Sequence, residues 1–98
     1  MVNALLDLSS NLFRSLPDSA LIYANQAKEL AQRLNYQKGL GYALKNIGLA
    51  YYVKSDFVEV LDYWQQSLNI FQSIEDKLGV SNLNNNIGAV YFNYGDDL

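Results

Sequence analysis

The chain of 98 residues contains no cysteine and no histidine. Without cysteine there is no disulfide framework and no thiolate zinc site. Without histidine the commonest general base at neutral pH and the commonest metal ligand are both missing. Proline is reduced to Pro17, and glycine to six positions. So few breakers favour long helices over many short strands. Positive charge is also scarce. The seven lysines and arginines run from Arg14 to Lys77 without a cluster, and the formal net charge is −3. A nucleic-acid surface needs a basic patch to neutralise phosphates, so no nucleic-acid partner is expected. There is no apolar run of the roughly 18 residues that a membrane-spanning helix needs. The opening Met1-Val2-Asn3-Ala4-Leu5-Leu6-Asp7 has no basic start, and Asp7 breaks its apolar stretch, unlike a secretory leader. The compartment stays open, with a cytoplasmic one the default expectation.

The acids offer little chemistry. Asp18, Asp56 and Glu59 fall where helices start, a place that favours negative charge. The adjacent pairs Glu75-Asp76 and Asp96-Asp97 fall at helix ends or turns, without calcium-loop spacing and without a third ligand nearby. Ser9-Ser10 has no histidine to activate it. The glycines form no phosphate-cradling loop. No enzyme activity, cofactor or metal is expected of this segment.

What the chain does contain is a repeat. Asn46-Ile47-Gly48 recurs as Asn86-Ile87-Gly88, Tyr51-Tyr52 as Tyr91-Phe92, and Ser55-Asp56 as Gly95-Asp96, all at one and the same offset. The first part of the chain joins that register. Ala20-Leu21 matches Val60-Leu61, Tyr23 matches Tyr63, and Gln26 matches Gln66. Within each unit the apolar residues recur at helical spacing, as in Leu44, Ile47 and Tyr51, then Val60, Trp64, Leu68 and Phe71. Pro17 suits the first turn of a helix, where its missing N–H costs nothing. Asp56 with Glu59 three residues on predicts a capping box. The pattern predicts an all-α chain of five helices at roughly 3–14, 17–34, 38–53, 57–74 and 78–94. Short connections make neighbouring helices antiparallel.

These residues resemble the tetratricopeptide repeat, whose pattern is W-x2-L-G-x2-Y followed by A-x3-F. The central unit reads Leu44-x2-Ile47-Gly48-x2-Tyr51, then Val60-x3-Trp64, then Ser67. The last reads Asn84-x2-Ile87-Gly88-x2-Tyr91, and the first keeps Ala20-x3-Ala24-x2-Ala27. The unit is longer than the family's usual one and lacks the closing proline. It is similar in this to the long-unit subclass of kinesin light chains and bacterial signalling arrays. The resemblance implies one domain over 1–98, with a degenerate first repeat at 1–37, a full repeat at 38–77 and a truncated one at 78–98. It further implies helical hairpins stacked into a right-handed superhelix, and a fragment of a larger, bacterial regulatory protein.

In that family the first helices of the hairpins line a concave surface. The corresponding face here carries Tyr42, Lys45, Asn46, Leu49, Tyr52 and Val53, then Asn82, Asn85, Asn86, Ala89, Phe92 and Asn93. A non-catalytic module binding a protein or peptide in that groove is therefore expected, with Tyr42, Lys45, Asn46, Leu49, Tyr52, Asn85, Asn86 and Phe92 as contact residues. Asparagine offers two donors and an acceptor to a peptide backbone, although it can equally bond within the scaffold. Two other functions fit the pattern: a sensory segment attached to a cyclase, kinase or transcription regulator, and a purely oligomerising segment. Gly48 and Gly88 are expected to let a crossing helix approach. The apolar stripe through Ile87, Val90 and Tyr91 is expected to lack a cover, because the last unit stops after its first helix. Self-association through that helix follows as an expectation.

Overall fold

The computed structural model describes residues 1–98, the side chain of Asp97 excepted. Five α-helices follow one another: α1 (Val2–Leu12), α2 (Pro17–Arg33), α3 (Gln37–Val53), α4 (Phe57–Ser73) and α5 (Lys77–Tyr94), closed by a 3-10 turn at Gly95–Asp97. The all-α expectation holds, and the helix bounds agree to within two residues. Asp97 belongs to that closing turn, but its side chain, and so its pairing with Asp96, lies outside the described part.

From α2 onward the helices start at equal intervals, at Pro17, Gln37, Phe57 and Lys77, and one local device sets that spacing. Asn35, Ser55 and Glu75 each take a positive φ, at 54°, 61° and 57°. The next amide then reaches back five residues: Tyr36 N–H to the Ala31 carbonyl, Asp56 to Tyr51 and Asp76 to Phe71, at 2.9, 3.0 and 2.9 Å. This is the Schellman closure, which satisfies carbonyls that a helix end would leave bare. Pro17 starts α2 as expected. Asp56 stands at the N-cap of α4, but its side chain makes no capping bond, contrary to the expected capping box. Asp76 does cap, accepting from the Gly79 amide at 3.0 Å.

Helices pack chiefly against their chain neighbours, and α1 also touches α3. The array is flat, 39 × 31 × 17 Å. Its interior has two parts. Around α2 it is built from small residues: Ala20, Ala24, Ala27 and Ala31 are fully buried, and the last two meet Val2, Leu6, Leu40 and Leu44. Around α4 it is built from large ones: Val60, Trp64, Leu68 and Phe71 meet Leu83 and Val90 of α5. Small residues let α2 lie close to its neighbours, whereas the larger α4 side chains are accommodated by glycines facing them, Gly41 and Gly48 on α3 and Gly79 on α5. Ile87 and Val90 are thus covered by α4, and of the expected bare stripe only Tyr91 is exposed, at 58 %. Lys54 and Asp18 form the one ion pair among the described residues, at 2.6 Å. Both are exposed, so it contributes little to stability.

Candidate functional site

Where α3 and α4 cross, two α4 side chains reach across to α3 carbonyls one turn apart. Ser67 Oγ donates to Gly41 at 2.7 Å, and the Trp64 indole N–H donates to Lys45 at 3.0 Å. The crossing is close because Gly48 has no side chain: a Cβ there would run into the Trp64 indole. Tyr52 stacks on the same indole at 6.2 Å and meets Phe57 and Tyr94 edge-on. Hydrogen bonding to Tyr94 is the main cause that holds the Tyr52 phenol above its usual pKa, followed by burial and the charge of Tyr94. Tyr52 is therefore a neutral hydrogen-bonding group at neutral pH, not a phenolate.

This aromatic cluster forms part of a groove of about 340 Å³. Leu49, Tyr52 and Val53 of α3 and Trp64 of α4 line it on one side, and Asn86 and Ala89 of α5 on the other. Phe13 and Arg14, in the turn after α1, close its end. The Arg14 guanidinium carbon lies 5.3 Å from the Phe13 ring centroid, a cation–π distance. The volume and the mainly apolar lining with a few polar groups are those of a small ligand or side-chain site.

Of the eight residues expected to contact a partner, the structure gathers Leu49, Tyr52 and Asn86 here. The other five lie elsewhere. Tyr42 is half-buried, set edge-on to Phe71 at 5.1 Å between the two parts of the interior. Lys45 contributes its carbonyl to Trp64. Asn85 is exposed and lines a second, larger groove of about 740 Å³ with Val80, Ser81 and Asn84. Phe92 projects into solvent, 91 % exposed.

Asn46 is taken up by the scaffold. It is 6 % exposed, and its amide donates to the Leu6 carbonyl at 3.3 Å and to Ser10 Oγ at 3.2 Å, tying α3 to α1. Asn46→Ala is expected to lower folding stability by about 1–3 kcal/mol, since it removes two hydrogen bonds that tie α3 to α1, the one to Leu6 buried. A shift in the urea midpoint at constant slope checks this. An unchanged midpoint would mean that water serves Leu6 and Ser10 equally well.

Phe13 and Arg14 were missed as groove residues. The repeat register could have found them, because it sets Phe13 level with Val53, already on the expected concave face. Among the described residues no cluster of acids could hold a metal ion, and no helix is long and apolar enough to cross a membrane. No family model matches the chain, and no curated protein or solved structure matches it.

Proposed function

We propose that the chain is a non-catalytic helical-repeat module of the tetratricopeptide kind, binding a peptide or helix of another protein in the groove between α3, α5 and the turn after α1. The observation that carries this reading is the groove itself. It offers the aromatic surface of Tyr52, backed by the buried Trp64, the adaptable amide of Asn86 and a single cation, Arg14. An aromatic and aliphatic floor takes up an apolar side chain, while an amide beside it pairs with a peptide backbone. With one cation present, the fitting ligand is an apolar segment bearing at most one neighbouring acid. A groove for a strongly acidic tail would need several lysines or arginines.

The constant repeat register and the small residues at the α3–α4 crossing support membership of the long-unit repeat class and its superhelical stacking. A place inside a larger bacterial regulatory protein is what that resemblance implies. The purely oligomerising reading draws on one observation, the exposed far side of α5.

The test is selection from a displayed random-peptide library, run in parallel on the natural chain and on Arg14→Glu with Asn86→Leu. Arg14 is exposed and Asn86 half-buried, so the variant should fold. Peptides with a shared apolar anchor are expected to be enriched on the natural chain and lost on the variant by about tenfold or more in affinity. Equal enrichment on both would move the site elsewhere on the array. No enrichment at all would leave the oligomerising reading.

A further inference from the structure

We propose that the free side of α5 is a self-association surface, on which a second copy of this chain pairs two-fold by placing each Phe92 beside the other copy's Gly88. The inference is independent of the groove. Val90 is buried toward α4. At 3.6 residues per turn, Ser81, Gly88 and Phe92 fall on the opposite side of the helix. A Cβ added at Gly88 would meet nothing within 4 Å. Phe92, one turn on, is 91 % exposed. A hole and an aromatic knob thus stand side by side on one helix face.

The same pair one register earlier shows what such a face accepts. Gly48 and Tyr52 of α3 both lie against Trp64 of the crossing helix α4, the glycine touching the indole and the tyrosine stacking on it. Gly88 and Phe92 repeat that arrangement one full unit later, with no helix across them among the described residues.

The chemistry of the face selects a second copy. From Leu78 to Gly95 the sequence has no charged residue, and the one charge of α5, Lys77, stands at its first position, eleven residues before Gly88. Two such faces meet without repulsion, and nothing on them would single out a charged partner. Interface centres are poor in charge and rich in aromatics for this reason. The exposed Asn84 and Asn85 carry both donors and an acceptor, so like can pair with like across a two-fold axis. An isologous contact needs residue i on j and j on i. An antiparallel crossing midway between positions 88 and 92 meets that condition, and each knob enters the other's hole.

Sedimentation equilibrium of the chain from micromolar to millimolar concentration tests this. A monomer–dimer equilibrium is expected. Gly88→Leu and Phe92→Lys, separately, should each weaken it by at least about tenfold, because one fills the hole and the other puts a charge into an apolar contact. Neither position packs against its own chain, so circular dichroism should show both variants folded. The exchange variant carrying Gly88→Phe with Phe92→Gly turns the knob and hole around and should recover the dimer. A monomer at every concentration overturns the proposal, as does a dimer indifferent to both single changes or an exchange variant that stays monomeric. Arg14→Glu with Asn86→Leu should leave the association constant unchanged, which separates this surface from the groove.

Discussion

Gly48→Ala is expected to destabilise the fold by about 2–3 kcal/mol, whereas Gly88→Ala, at the same place in the register, should stabilise the monomer by up to about 1 kcal/mol. Alanine is the better helix former at both sites, and in the open that preference acts alone. At position 88 it does act alone, since no atom lies within 4 Å of the added Cβ. At position 48 the new methyl group would occupy space held by the Trp64 indole. That ring cannot easily move aside. Its N–H is bonded to the Lys45 carbonyl, and Tyr52 is stacked on its face. The strain of overpacking and the loosened hydrogen bond together exceed the propensity gain. Urea unfolding of both variants, at dilution where monomers dominate, reads the two signs directly. A loss below about 0.5 kcal/mol at Gly48 would mean that α3 and α4 can separate without penalty, and the close crossing would not be what holds them.

The opposite behaviour of two glycines in one register shows how far the sequence could be read. Helix number, helix bounds and the α4 side chains that fill the interior follow from spacing alone, because apolar periodicity depends only on which residues face inward. Contact partners across a register do not follow in that way. Asn46 and Asn86 are the same residue at the same repeat position, yet only Asn46 is absorbed into the scaffold. Ser10 and the Leu6 carbonyl stand beside it. One register on, the counterpart of Ser10 is Ala50, which has no side-chain group to bond. Asn86 therefore remains half-buried at the groove, and only the spatial neighbours distinguish the two. Asp56 and Asp76 divide similarly: both sit at an N-cap, and only Asp76 makes the bond. Arg14 escaped notice because the turn after α1 lacks the closure that the later turns share, and the repeat is weakest there.

Phe71→Ala should cause the largest loss from any single side chain, about 3–5 kcal/mol, against a total that for a domain of this size is commonly about 5–15 kcal/mol. Phe71 is fully buried on α4, and its ring is wedged between two helices at once. The ring tip abuts Gly41 of α3, its base abuts Gly79 of α5, and Tyr42 meets its edge at 5.1 Å. Neither glycine can advance a side chain into the space an alanine would leave, so the cavity stays open and its full cost is felt. The loss should be uneven along the chain. The interior around α2 is closed by its four alanines with α1 and α3 and does not include Phe71. Hydrogen exchange in the variant is thus expected to rise first in α5 and the second half of α4, with α2 and the start of α3 protected longest. Phe71→Leu, which keeps most of the volume, should recover more than half of the stability. Uniform loss of protection from α1 to α5 would show that the two parts of the interior melt as one, and that Phe71 supports the whole array. Selective loosening of α5 would take Asn86 and Ala89 away from the groove. Ligand binding would then fall at temperatures where the first three helices are still folded, linking the packing of one ring to the integrity of the site it does not touch.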